Sequence, residues 1–474
     1  MKNKQFPFWL FTFSVFTVLV LPTLLQDGMF LDGLLNSSIA RNLAKGEGGF
    51  WALQYSKTIN NPFYDQLPLV FGLQSLFFKL FGDHLYVERI YCLLTALITG
   101  YFIIKTWKHL FRENNELAAL GWLPLLFWII TPVVFWSYSN NMLENTMVIF
   151  DIAAIYLIIK ALDTNKKILL SLAIAGVLIL AAFLSKGPVG LFPLVTVFIY
   201  WLFFKKPTFS KTTLYTIIVF LIPVLILLLL FLIEHNAFDT ISKYFSQQIV
   251  KSVEGRRELA PNRFYIIERL ISELVPIIAL LLILFVITQI KRVKITSNST
   301  ERKFIFFYFA IALSGSLPIL ISVKQSGYYL VPSLPFYAIA TGILAAPRLN
   351  VLMQKIKSES RTFKIITYIT IFLFCGTLVF SFMQTGKIGR DKEMLKDVYA
   401  IGKIVPNNSS VSICYEMIYN WGLRAYLIRY FCINLDEKQQ HEFYIRDKSC
   451  KSEMTKDYIK LEINTSIYEI YKRK

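Results

Sequence analysis

Charge is scarce in this chain. Only 17% of its 474 residues are Asp, Glu, Lys or Arg, where a soluble domain carries about a quarter. Histidine is scarcer still: His84, His109, His235 and His441 stand far apart, and the five cysteines form no Cys-x-x-Cys. That excludes a zinc site by ligand spacing. What fills the chain instead is apolar: 55% hydrophobic residues, in blocks such as 214–233 and 276–290 that are too continuous for one face of a surface helix. A soluble globular enzyme, a disordered chain and a disulfide scaffold are all excluded. The reading is an all-α polytopic membrane protein.

The formal net charge of +19 invites a nucleic-acid partner, but its distribution points elsewhere. Bases gather in short polar connections: Lys2 and Lys4; Lys105, Lys108 and Arg112; Lys160, Lys166 and Lys167; Lys205, Lys206 and Lys211; Lys291, Arg292, Lys294, Arg302 and Lys303; Arg348, Lys355, Lys357, Arg361 and Lys364. The alternate connections are mixed in sign. Short loops rich in Lys and Arg stay in the cytoplasm, so the excess is a topology signal and no nucleic acid is implied. A spanning helix needs about 20 apolar residues, which predicts about eleven spans: 7–25, 86–104, 117–136, 146–162, 168–184, 188–204, 213–233, 270–290, 304–323, 328–346 and 364–383. The N-terminus then lies inside and the C-terminus outside a plasma (inner) membrane. The first span has no small-residue cleavage site before the acidic stretch that follows, so it reads as a retained helix.

Two domains are expected: a membrane bundle over 1–383 and a soluble extracytoplasmic α/β domain over 384–474. Within the bundle, two outward segments stand out. Residues 26–85 hold the turn signals Gly46-Glu47-Gly48-Gly49 and Asn60-Asn61-Pro62, and residues 234–268 carry Arg256-Arg257 and Pro261. In the tail, Val411, Ile413 and Tyr415 alternate as in a strand, and 458–471 looks similar. Cys92 and Cys375 lie in spans, where a thiol is a small hydrophobe. Cys414, Cys432 and Cys450 lie outside, where one pair can bridge and one thiol is left over.

The residues that carry chemistry sit at the outer face. Asp27 and Asp32 follow the first span, Asp65 precedes Pro68, and Glu144 opens the fourth span. Singly each reads as a cap or a solvated interfacial charge. Together, at one depth on one face, they fit a general base or a divalent-metal site, with Asp32 and Glu144 the metal candidates. Lys186, in Ser185-Lys186-Gly187-Pro188, and Lys324, in Lys324-Gln325-Ser326-Gly327, break the positive-inside pattern. Snorkelling toward lipid phosphate accounts for such lysines. The sharper reading is a bound phosphate, whose charge a cation offsets as it leaves.

The stretch Asp32-Gly33-Leu34-Leu35-Asn36-Ser37-Ser38-Ile39-Ala40-Arg41-Asn42 resembles the first outer loop of glycosyltransferase family 39, which includes protein O-mannosyltransferases and the lipid A aminoarabinose transferase. Tyr64-Asp65-Gln66-Leu67-Pro68-Leu69, then Phe81-Gly82 and Arg89, is similar to that family's acid-Lys-Pro-Pro-Leu and Phe-Gly…Arg sequence. Ser185-Lys186-Gly187 resembles its Thr-Lys-Gly, and Tyr329-Leu330-Val331-Pro332-Ser333-Leu334-Pro335 its Tyr-x-x-Pro-x-x-Pro. Gly33, Gln66 and Leu67 depart from the pattern, where the family has an acid, a Lys and a Pro.

The resemblance implies a GT-C bundle whose outer cavity is roofed by interfacial helices. It implies an enzyme that takes a sugar from a polyprenyl-phosphate donor and places it on an envelope lipid, glycan or protein. Asp32 is then the catalytic base for an acceptor hydroxyl, or the orienting group for an acceptor phosphate, with Glu144 and Asp65 in support. Lys186 and Tyr329 match family positions near the donor phosphate; by charge and sidedness alone, Lys324 is a further candidate for that phosphate, with Arg256 and Arg257 helping from the 234–268 loop. A polysaccharide polymerase or ligase would share such a cavity. A lipid-linked glycan flippase or transporter would favour repeats and acids deep in the spans; this chain has no internal repeat, and only Asp151 and Glu273 offer such acids.

Overall fold

The computed structural model describes residues 2–256, 260–292, 298–451 and 457–474. Helix α1 (Lys2–Leu25) leads into α2 (Leu31–Ala44), a short hairpin at 48–53, and α3 (Leu69–Phe81). Then come α4 (Val87–Leu110), α5 (Asn115–Ile129), α6 (Pro132–Ser139), α7 (Glu144–Thr164) and α8 (Ile168–Lys186). A 3₁₀ stretch, Pro188–Val195, precedes α9 (Thr196–Phe204), which is followed by α10 (Phe209–Ile233), α11 (His235–Tyr244), α12 (Tyr265–Ile290), α13 (Ser299–Ser316), α14 (Leu334–Gln354) and α15 (Arg361–Phe382).

Among the described residues nine helices are long and apolar enough to span a membrane, and α5 with α6 makes a tenth if that pair, bent by 79°, counts once. The expected eleven exceeds this by one segment, 188–204, which is not one continuous α-helix. The bend has a local cause: Pro132 disfavours helical backbone at Thr131, which is extended (ψ 120°). The eleventh expected segment, 188–204, has eight 3₁₀ and nine α residues. At about 2.0 and 1.5 Å per residue these still reach roughly 30 Å, the thickness of a hydrocarbon core. Its ends bear this out. Next to its start Lys186 meets Glu144, and near its end Tyr200 donates to Asp163 on the opposite face.

Burial ranks the helices. The span windows of α10, α12 and α15 are 11%, 17% and 11% buried, whereas that of α7 is 78% buried. The first three line the lipid-facing rim, where side chains such as Leu232 and Phe372 remain exposed. In a bilayer such exposure is no penalty, because the acyl chains are as apolar as these side chains. Helix α7 is central, against α4 and α8, and it carries Glu144 at its first residue.

The C-terminal domain adds α16 (Lys392–Gly402), α17 (Trp421–Phe431) and five strands: β1 (Ser410–Ile413), β2 (Asn434–Asp436), β3 (Phe443–Asp447), β4 (Tyr458–Lys460) and β5 (Tyr468–Arg473). Their order is β2-β1-β3-β5-β4. Strand β1 runs parallel to β2 and β3 (Ser410 opposite Asn434, Ser412 opposite Tyr444), while β5 is antiparallel to both neighbours. Cys414 is bonded to Cys450 and Cys432 is free. The core of the sheet, Val411, Leu435, Ile445 and Ile470 with Leu395 and Leu427, also takes in Met29 and Leu34 from the other end of the chain.

A buried ion pair holds this domain to the bundle. Arg429 on α17 reaches Glu88 at 2.7 Å and Asp83 at 2.9 Å, and its side chain is 2% exposed. Removing one partner of such a pair strands the other charge at a cost of about 3–5 kcal/mol. Arg429→Ala is accordingly expected to lower the unfolding midpoint of the purified chain in detergent. An unchanged midpoint would show that Glu88 finds another partner. The same junction sets a pH dependence. Burial pushes the Asp83 carboxyl up, but the Lys45 hydrogen bond and the Arg429 and Arg41 charges pull it down further, to below its ordinary value. A carboxyl depressed in the folded state adds stability above its unfolded value, and that contribution is lost as pH falls through the folded one. Amide protection across 421–431, taken relative to the intrinsic exchange rate at each pH, is expected to fall below about pH 4, and protection unchanged with pH there would refute the link.

Candidate active site

Helix α2 begins without a side-chain cap at Phe30, and Asp32 sits in its first turn, where the helix dipole favours a carboxylate. Two asparagines fix its position. Asn140 Oδ1 accepts from Phe30 N–H (3.0 Å), Asn141 Nδ2 donates to the Gly33 carbonyl (3.1 Å), and Asn36 Nδ2 donates to the Asn141 carbonyl (3.0 Å). Gly33 belongs here for room: a Cβ would lie 2.3 Å from the Asn140 carbonyl oxygen. The departure from the family pattern at this position is thus a packing requirement. The same Asn-Asn turn, with Asn141 at φ 51°, delivers Glu144 to the start of α7.

Glu144 is fully buried, and its carboxylate lies 3.2 Å from Lys186 Nζ, whose side chain is 12% exposed. Asp32 acts electrostatically on both, and Tyr329 on Lys186. The sequence-predicted Asp32, Glu144, Lys186 and Tyr329 therefore form one cluster at one face. Gly187, at φ 83°, turns the chain after Lys186, and Tyr244 Oη donates to the Lys186 carbonyl (3.2 Å). Any divalent ion between Asp32 and Glu144 would share Glu144 with the Lys186 ammonium, which already supplies a positive charge there.

The remaining candidates lie elsewhere. Asp65 accepts from Gln248 Nε2, which ties the 26–85 loop to the 234–256 segment; Lys243 adds a contact over the Tyr64 ring, 4.5 Å from its centroid. Lys324 lines a cavity of about 670 Å³ together with Phe30, Trp136, Tyr265, Arg269 and Tyr328. Arg256 is exposed and pairs with Glu254 (3.2 Å), while Arg257 lies outside the described residues. Asp27 is buried against the C-terminal domain, where the hydroxyls of Tyr399 and Tyr430 donate to it.

Sequence reasoning missed Trp136, Arg269, Tyr328 and the asparagines. Trp136 and Tyr328 stack with centroids 6.0 Å apart, and Phe30 meets Trp136 edge-on at 5.1 Å. This aromatic wall joins the Lys324 cavity to the acidic cluster. Of the two deep acids, Glu273 is accounted for locally. It pairs with Arg269 (2.6 Å) and accepts the first free amide of α6, from Val133, at 2.6 Å. Asp151, seven residues after Glu144, is buried and its carboxylate has no hydrogen-bond partner among the described residues. A larger cleft, about 1200 Å³, opens at the opposite face beside Arg112, Asp163, Lys206 and Lys303. It lies away from the acidic cluster, so it is not where we place the chemistry.

Similarities to known proteins follow the same lines. No curated protein sequence matches the chain. ArnT from Cupriavidus metallidurans in the apo state superposes with a TM-score of 0.63 at 11% identity, over 97% of this chain and 95% of that one. The same protein bound to undecaprenyl phosphate gives 0.67 at 11% identity, over 98% and 97%. The family model for dolichyl-phosphate-mannose-protein mannosyltransferase matches residues 62–233, a stretch that contains Glu144 and Lys186 and begins after Asp32. The chain thus shares the fold of ArnT over nearly its whole length, and its residues 62–233 are similar to the dolichyl-phosphate-mannose-protein mannosyltransferase family model.

Proposed function

We propose that this protein is a membrane glycosyltransferase that moves a sugar from a polyprenyl-phosphate donor to an envelope lipid, glycan or protein. The observation that carries the reading is the joining of Asp32, the Glu144–Lys186 pair and Tyr329 at one face, beside an aromatic-walled cavity. Undecaprenyl phosphate in a structure of the same fold supports a lipid phosphate as the leaving group.

In this reading Asp32 takes the proton of the acceptor hydroxyl as its oxygen bonds to the anomeric carbon. The bond from that carbon to the phosphate oxygen breaks with its electron pair, so the sugar inverts. Lys186 offsets the charge on the departing phosphate, Tyr329 flanks it, and Glu144 holds the ammonium in place. Lys324 borders the space for sugar and acceptor, and Asp65, held by Gln248, binds one of them from the 26–85 loop. The bundle is residues 1–383, and the soluble domain is 384–474. The cluster faces away from the cytoplasm of a plasma membrane.

Two measurements test this. Mass spectrometry of envelope lipids and proteins from cells with and without the chain is expected to show one lost sugar, which would identify donor and acceptor together. An unchanged sugar profile with an altered distribution of lipid-linked glycan would favour transport instead. A reporter fused after Lys474 is expected to be active only outside the cytoplasm, and one placed after Lys206 only inside. Activity on the same side for both would refute the orientation.

A further inference from the structure

The chain leading into α2 is gripped by the C-terminal domain. Asp27 bridges in parallel to Ile388: its amide donates to the Lys387 carbonyl (2.8 Å), and its carbonyl accepts from Gly389 N–H (2.9 Å). Its buried carboxylate accepts from Tyr399 and Tyr430 hydroxyls, each at 2.5 Å, and from Gly28 N–H at 2.7 Å. Tyr426 Oη accepts from Met29 N–H at 3.3 Å and lies 2.8 Å from the Asp391 carboxylate. At the far end of α2, Arg41 donates to the carbonyls of Ile428 and Arg429 (2.7 and 2.9 Å). Helix α17 thus holds both ends of α2, whose Met29 and Leu34 side already belongs to the core of the sheet.

This grip answers a local weakness. An uncapped helix start leaves amides without partners and tends to fray, and the uncapped first turn of α2 is the one that carries Asp32. A reacting group must be held within about 0.5 Å of its productive place. We propose that Asp27, Tyr399 and Tyr430 are positioning residues: through residues 27–30 they fix Asp32 relative to Glu144 and Lys186. The C-terminal domain then acts in the transfer step without touching either substrate. The proposal rests on the transferase reading above.

The test is Tyr399→Phe/Tyr430→Phe in the full chain, with Asp27→Asn and Asp27→Ala beside it. Three quantities are measured: amide exchange over 27–36, binding of undecaprenyl phosphate, and the rate at which the sugar modification returns in cells lacking the native chain. In the double variant, exchange over 27–36 is expected to accelerate, undecaprenyl phosphate to bind within about twofold of wild type, and the rate to fall roughly 10²-fold, the scale of a 1 Å misplacement. Asp27→Asn keeps an acceptor for one tyrosine and a donor for the other, so it retains most of the rate. Asp27→Ala follows the double variant. Unchanged exchange, an unchanged rate despite faster exchange, or a parallel loss of undecaprenyl phosphate binding would each overturn the proposal. If the double variant does not fold, the Asp27→Asn and Asp27→Ala contrast decides the matter alone. A wild-type chain that neither binds the lipid nor transfers sugar sinks the transferase reading itself, while exchange still reports the grip.

Discussion

Asp32→Asn is expected to lower sugar transfer by about 10²–10⁴-fold, the usual cost of removing a general base, while undecaprenyl phosphate continues to bind. The substitution is nearly isosteric and Asp32 is only partly buried, so the fold loses little. What it loses is a carboxylate within electrostatic reach of Glu144 and Lys186. The control is Asp27→Asn, five residues earlier, where the side chain already serves Tyr399 and Tyr430; its effect is expected to be far smaller. The reverse order of effects would make Asp27 the reacting acid and refute the register assigned to the first outer loop. A loss below about tenfold at Asp32 would mean that the acceptor oxygen arrives already ionised, as a phosphate does, and that Asp32 only orients it. Initial rates measured with each variant at equal membrane abundance separate these outcomes.

Most of the bundle was legible because hydropathy and Lys/Arg asymmetry are strong, additive signals. The places where they misled share one physical cause. Backbone at Thr131-Pro132 and over 188–195 departs from α-helix while remaining apolar, so hydropathy runs straight across a 79° bend and a 3₁₀ stretch. The site shows the same division. Asp32, Glu144, Lys186 and Tyr329 stood out because charged or motif-bearing residues at span ends are conspicuous. Trp136 and Tyr328 did not, since an aromatic in an apolar run is compositionally ordinary until its stacking partner is known. Lys186 and Lys324 looked equivalent in sequence, each in a minimal outer turn. Only the packing shows that one meets Glu144 and the other a separate cavity. The role of Asp27 was invisible for a deeper reason: its partners lie 372 and 403 residues away, beyond any local pattern.

Lys186→Ala is expected to do two things at once, and separating them tests the site. The first is structural: with the ammonium gone, Glu144 is fully buried without its counter-charge, and breaking a buried pair from one side costs about 3–5 kcal/mol. The second is functional, since a phosphate at this face loses the cation that offsets its charge. Stability alone could account for lost activity, so the informative variant is Lys186→Met/Glu144→Gln. Replacing both charges by neutral groups of similar volume is often close to neutral for stability, and the unfolding midpoint in detergent should return toward wild type. Undecaprenyl phosphate binding and transfer should not return with it. Lys186→Arg is expected to keep part of both, because a guanidinium can still meet Glu144 and a phosphate, though its planar fork does not reproduce the compact ammonium. Tight lipid-phosphate binding by the neutral pair, measured by native mass spectrometry, would show that the phosphate contacts some other cation and that Lys186 serves Glu144 alone.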